Sequence, residues 1–252
     1  MQTSFHLLPG LYRFQKHACL IFLFILSAVC PVVAQAKIDS LEKILPGSSG
    51  NIRAEILYLL SWEYRFTDKD KALQYGDEGL QLARQLKDTA ALSSALNSIS
   101  ETWLNFGDYE KAEQVTREEL PYARAIPQKK NLLGALTRLG TIQYRKGRLD
   151  DALTYQLEVQ REAEKLNKPE FSGVASLNLG LTYMDMKRYD EALRYFNIGL
   201  KAFESISMTA GIGASYVNIT EILRNQKKYK EALETARKAE KVLLESGNKL
   251  HL

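Results

Sequence analysis

The side chains that most often carry out chemistry are scarce in this sequence and poorly placed for it. There are two cysteines and three histidines. Cys19, Cys30, His6 and His17 all fall near the N-terminus, and His251 stands one residue from the other end. Once the N-terminal stretch is removed, no thiolate nucleophile, disulfide, Cys/His zinc site or buried Ser–His pair remains. Adjacent carboxylates occur at Glu118-Glu119 and Asp150-Asp151, but consecutive residues of a helix point in different directions. Asp150 suits a helix start, where the backbone dipole favours negative charge. The 15 glycines are dispersed and form no phosphate-cradling loop. Neither catalysis nor a metal or other cofactor is expected. Binding is the chemistry left.

The elements that would position binding groups are announced by one recurring residue. Ala72, Ala112, Ala152, Ala192 and Ala232 stand 40 residues apart. Tyr109, Leu149, Tyr189 and Tyr229 precede four of them by three places, and acidic or basic residues fill the positions between. A fixed period of this size marks a repeat array, in which each unit buries its apolar face only against its neighbours. At 45% hydrophobic and 25% charged residues the composition is that of a folded protein rather than a disordered one. Arg13 and Lys16 carry two of the 34 basic groups, so 32 basic face 30 acidic groups elsewhere. That balance calls for neither nucleic acid nor an anionic membrane as partner.

Residues 1–34 read as an export signal. Arg13, Lys16 and His17 give a positive start, Ala18 to Leu26 begin an apolar core, and Val32-Val33-Ala34 offers a cleavage point after Ala34. The rival readings are cleavage after Ala36 or an uncleaved anchor, since the apolar run is long enough to span a bilayer. Cys30 raises a lipoprotein reading, for which Val29 is a poor fit. A cleaved chain would be periplasmic, with no stable membrane span.

From there the spacing predicts a short helix over 37–45, a break at Pro46-Gly47-Ser48-Ser49-Gly50, and then helix pairs. The expected organisation is a short helix and linker over 35–51 and five repeats over 52–248. These divide at 52–88, 89–128, 129–168, 169–208 and 209–248, with an incomplete sixth unit over 249–252. Gly107 and Gly147 mark turns inside pairs, where a helix can end in the left-handed conformation. Lys187 and Lys227 hold the same place two and three units on, and would need another solution. Pro121, inside a predicted helix, should bend it or end it early.

These residues resemble the tetratricopeptide repeat family in its 40-residue form. Leu179-Gly180, Tyr183, Ala192 and Phe196 follow the family pattern most fully. Leu139-Gly140 with Ala152, and Trp103 with Tyr109 and Ala112, follow it in part. HEAT and armadillo repeats have similar lengths, but the Gly107, Tyr109, Ala112 spacing is the tetratricopeptide one. The resemblance implies an all-α, right-handed solenoid of about five antiparallel helix pairs. Leu59 to Arg65, Asp68 and Lys71 to Tyr75, with the leader, also resemble the exported repeat regions that begin bacterial membrane signalling proteins of the histidine kinase or nucleotide cyclase type.

Peptide-binding members of the family use inner positions of the first helix in each pair. The resemblance assigns a partner contact to Arg138, Asn178 and Asn218, which share one register position with Ser98. Glu101, Thr141, Leu181 and Glu221 lie one helical step further along. Trp62, Trp103, Tyr144 and Tyr183 recur near first-helix ends and read as core or groove wall, with Tyr144 beside the groove residues. The expected function is an exported, non-enzymatic scaffold holding a protein or peptide segment. The alternative is a sensory region of a signalling protein whose output domain lies on another chain. Leu233, Val242 and Leu243 are expected to be exposed on the last pair and to favour self-association.

Overall fold

The computed structural model of the protein describes residues 35–249, with side chains through 245. The leader with its cleavage points, both cysteines, all three histidines and residues 250–252 of the incomplete sixth unit lie outside the described residues. Helix α1 covers 35–44, and a 3₁₀ turn follows at Leu45–Gly47, where Pro46 cannot continue an α-helix. Ten helices then alternate as first and second members of pairs: α2 (Gly50–Tyr64) with α3 (Lys69–Leu86), α4 (Thr89–Asn105) with α5 (Tyr109–Ala125), α6 (Lys130–Arg145) with α7 (Leu149–Lys165). The series continues with α8 (Pro169–Asp185) and α9 (Tyr189–Ser205), then α10 (Thr209–Asn225) and α11 (Tyr229–Lys249). Among the described residues there is no strand, and no helix is long and apolar enough to cross a membrane.

Local chemistry explains why the second helices begin where they do. Asp68 and Asp108 each accept a hydrogen bond from the backbone N–H three residues on, at 3.0 Å, satisfying a donor the helix leaves open. Arg148 and Arg188 occupy the same place without a side-chain cap. There Asp150-Asp151 and Asp190-Glu191 put negative charge into the first turn instead, against the positive end of the dipole.

Four of the five turns inside pairs share one solution, which Thr67 in the first pair does not adopt. Gly107 and Gly147 are left-handed, with φ of 80° and 73°, and Lys187 and Lys227 take the same conformation at 60° and 61°. Lysine pays a steric cost for this that glycine does not, so the expected alternative turn is not used. Between pairs Lys87, Asn167 and Ser207 repeat the device at φ near 50°. The missing rung is residue 127, a proline, whose ring fixes φ near −65°. That junction instead runs through Ile126 in extended geometry. Pro121 does not end α5 early: the helix runs on to Ala125.

Packing follows the ladder. Ala72, Ala112, Ala152 and Ala192 are fully buried, and Ala232 nearly so. At each crossing between paired helices a small residue on one side accommodates the size of its opposite. Gly180 faces the buried ring of Phe196, Gly140 faces Gln156, and Ser100 hydrogen-bonds Thr116. A Cβ on Gly180 would lie 2.4 Å from Phe196 Cε1. Neighbouring first helices also touch directly, α2 with α4, α4 with α6, α6 with α8 and α8 with α10. Among the described residues second helices meet only through long side chains, as at Arg84 of α3 and Glu118 of α5, 3.0 Å apart, while their backbones stay further from each other, so the array curves with its first helices on the inside.

Candidate binding groove

The expected inner face is built from one position of α4, α6, α8 and α10, held by Ser98, Arg138, Asn178 and Asn218, whose surroundings differ. Ser98 is buried, donating to Ala95 O at 3.0 Å and accepting from Ser61 Oγ at 2.8 Å. Arg138 is 3% exposed. Its Nε donates to Glu101 at 2.9 Å and its Nη1 to Glu119 at 2.8 Å, while Nη2 donates to Asn97. Glu119 also accepts from Ser93, which in turn accepts from Asn131 Nδ2 at 3.0 Å. Burial pushes the Glu119 carboxyl up, with Arg138 opposing it. For Arg138 burial works against the charge, and Glu119 and Glu101 outweigh it.

This corrects the expected site. Arg138 and Glu101 are committed to a buried ion-pair network, and a guanidinium with all three nitrogens engaged cannot contact a partner without breaking it. Asn178 and Asn218 remain half-buried on the face. Asn218 Nδ2 donates to its own helix at Ala214 O, 2.9 Å away. Among the described residues the Asn178 carboxamide makes no hydrogen bond. Glu221 is exposed and pairs with Arg224 at 3.4 Å, outside the cluster formed by the others.

Two expected residues do come together. Asn178 and Tyr144 line a pocket of about 100 Å³ between α6 and α8, with Thr141, Arg145, Leu181 and Gln156 completing it. The Tyr144 hydroxyl donates to Asp185 at 2.6 Å. Burial first, then the Asp185 hydrogen bond, push its pKa up to about 12, so at neutral pH it is a donor and never a phenolate. Arg145 is exposed beside it. The pocket offers a carboxamide, a guanidinium and an apolar wall, which suit an extended chain segment. Among the described residues no group of three or more His, Cys, Asp or Glu side chains is placed to hold a metal.

The aromatic residues divide between core and wall. Tyr183 is buried and stacks on Tyr195, a partner the sequence reading missed although Tyr75 and Tyr155 stand at the same place in earlier units. Trp62 is half-buried beneath Arg65, at 3.7 Å, and Trp103 is flanked by Lys69 and Lys111 at 4.4 and 4.1 Å.

Residues 172–245 match the model of the tetratricopeptide repeat family, and no curated protein matches the sequence. Among solved structures the chain is similar to BtubC from P. vanneervenii, with 15% identity and a TM-score of 0.70, covering 86% of this chain and 90% of that one. It is similar to aspartyl phosphate phosphatase F from Bacillus subtilis at 18% identity and a TM-score of 0.69. There it covers 77% of this chain but spans only about half, 52%, of that one. A Rap protein complexed with competence and sporulation factor gives 16% identity and a TM-score of 0.60, covering 84% and 70%. At these identities the likeness is one of fold: a tetratricopeptide-type solenoid.

Proposed function

We propose that this tetratricopeptide-type solenoid is a non-enzymatic scaffold whose inner face holds a protein or peptide segment against α6 and α8. The observation that carries the reading is Asn178, a half-buried carboxamide with no hydrogen bond among the described residues, opening onto a pocket shared with Tyr144 and Arg145. A backbone peptide group offers the donor and acceptor such an amide lacks, and Arg145 adds attraction for a carboxylate. The Rap structure solved with a bound factor supports the idea that a solenoid of this shape can hold a separate ligand. The charge and apolar pattern of residues 1–34 supports a periplasmic location, and the signalling-protein resemblance supports a sensory role within it.

The test is capture. The chain, immobilised, is exposed to exported proteins of its source, and what it retains is identified. Asn178→Ala with Arg145→Glu should lower retention of that partner about tenfold, the loss of one charge-assisted contact, with an unchanged circular dichroism spectrum. Undiminished retention would sink the site. Self-association is a second reading, favoured by exposure of Leu233 (55%) and Leu244 (63%) on α11. Leu243 does not belong to that set: it packs against Gly213, and Val242 is half-buried. Sedimentation of Leu233→Glu/Leu244→Glu beside the parent decides it, a monomer in both ruling it out.

A further inference from the structure

A three-layer stack recurs in the array and lacks its middle layer in one unit. In the first pair Tyr64 stacks on Tyr75, with centroids 5.9 Å apart and planes 16° from parallel, and Lys71 Nζ lies 4.7 Å from the Tyr64 ring. In the fourth, Tyr183 stacks on Tyr195 at 5.4 Å and 8°, and Arg188 lies 4.7 Å from the Tyr183 ring. The third unit keeps the outer layers. Tyr155 stands 40 residues before Tyr195, and Arg148 stands 40 before Arg188. Where the ring of Tyr183 would fall, it has Gln143.

The place of the missing ring is a pocket of about 170 Å³. Gln143, Arg148, Thr154 and Tyr155 line it, with Asp151 from the same helix, and Glu113 and Arg117 of α5 close the far side. A cavity of about 150 Å³ is enough to hold benzene, so the space is that of a ring. Gln143 is 1% exposed, and among the described residues neither its Nε2 nor its Oε1 meets a partner at full hydrogen-bonding geometry, although its amide comes near enough to the Glu113 carboxylate to help hold that acid ionised. That carboxylate is already taken by Arg117 at 2.7 Å and Lys146 at 3.0 Å. Leaving both ends of a buried amide without a full hydrogen bond is costly. Arg148 also differs from its counterpart. Arg188 is held by Glu191 at 2.5 Å, whereas the shorter Asp151 forms no ion pair with Arg148, leaving that guanidinium free to lie over a ring. Tyr144 stands in the register of Tyr64, but its hydroxyl is bonded to Asp185 at 2.6 Å and its ring does not stack on Tyr155.

We propose that this pocket binds a planar nitrogen heterocycle of the adenine type. The ring stacks on Tyr155 beneath Arg148, and its adjacent donor and acceptor pair with the Gln143 carboxamide. A glutamine amide matches an adenine edge in both donor and acceptor, and stacking on an aromatic side chain suits any flat base. The site lies between the second helices α5 and α7, with Gln143 of α6 at its base, and shares no lining residue with the pocket of Asn178 and Tyr144.

The full chain is titrated with adenosine while the side-chain amide of Gln143 and the ring of Tyr155 are followed by NMR. Saturable shifts at both are expected. Gln143→Tyr, which rebuilds the fourth unit's stack, should weaken binding at least about tenfold, the value of one stacking contact, while its melting temperature does not fall. If that variant does not fold, Tyr155→Leu carries the same expectation. Asn178→Ala should leave adenosine binding unchanged, which separates this site from the groove. Absence of saturation at millimolar adenosine, or undiminished affinity in the variant that folds, overturns the proposal. Tighter binding of N-acetyltyrosinamide than of adenosine also overturns it, since the ring would then belong to a partner chain.

Discussion

Arg138 and Asn178 occupy one register position, yet the first is buried in an ion-pair network and the second is half-buried beside a pocket. A side chain as long as arginine can turn back from a helix face, and Arg138 does so because Glu119 on α5 and Glu101 on α4 both lie within 2.9 Å. No property of position 138 itself reveals that reach, and Glu119 read as half of an adjacent carboxylate pair conceals it from the other side. The placement of Asn178 on the face follows from its register, because a short amide stays where its register puts it. Arg138→Leu should therefore destabilise the fold by about 3–5 kcal/mol in urea titration, by leaving Glu119 buried and unpaired. Adding Glu119→Leu should recover that loss and more, since an apolar pair carries no desolvation cost. Glu113 gives a second prediction. Burial alone would raise its carboxyl, but hydrogen bonds from Arg117 and Lys146 hold it down at about 2, against an ordinary 4.5. A depressed acid contributes stability above its unfolded pKa and loses it as pH falls through the folded one. Melting temperature should fall between pH about 4.5 and 2, and Glu113→Gln should flatten that fall.

At the scale of helices the alanine ladder was legible because 40-residue spacing and a small side chain say together where paired helices cross. What faces the crossing was less so. Phe196 and Gly180 match in size only when two helices are superposed, and single-helix periodicity carries no such information. The consequence is that one substitution has opposite signs at two glycines. Gly180→Ala puts a Cβ against a fully buried ring and should cost about 1–3 kcal/mol through overpacking. Gly134→Ala in α6 meets nothing within 4 Å and should stabilise by about 0.5–1 kcal/mol, since alanine loses less backbone entropy in a helix. Thermal unfolding of the two variants beside the parent measures both, and shifts of the same sign would refute the packing argument. The lysine turns were misread for a related reason. A preference for glycine at left-handed positions is a bias of about 1–2 kcal/mol, which an array fixed by its packing can override at Lys187 and Lys227.

For the molecule as a whole, a regular period implied a chain of equivalent interfaces, and the structure has one that differs. Apolar residues from α3 to α5 form one cluster around Leu80, Leu96 and Ile99, and those from α8 to α11 form another around Phe196, Leu179 and Ile222. Where α4 and α5 meet α6, Glu119, Arg138, Glu101, Ser93 and Asn131 are joined by hydrogen bonds, and Leu120 carries the apolar contact of α5 to the cluster around Leu133 and Leu136. The same junction carries the proline that replaces a left-handed turn residue. In a solenoid, stability is a sum of unit and nearest-neighbour terms, so a weak neighbour term divides cooperative unfolding at that point. Desolvated ion pairs cost more than apolar contacts of equal volume, which makes this interface the weak one. Native-state hydrogen exchange in dilute urea should show amides of α2–α5 opening as one unit and those of α6–α9 as another, with the division at residues 126–129. The α6–α9 unit, which holds the buried rings of Phe196 and Phe203, should be the more protected. Replacing the pair by Arg138→Leu with Glu119→Leu makes the interface apolar and should merge the two units into one transition. A single transition across α2–α9 in the parent chain would show that the polar seam couples the array as tightly as its apolar neighbours do.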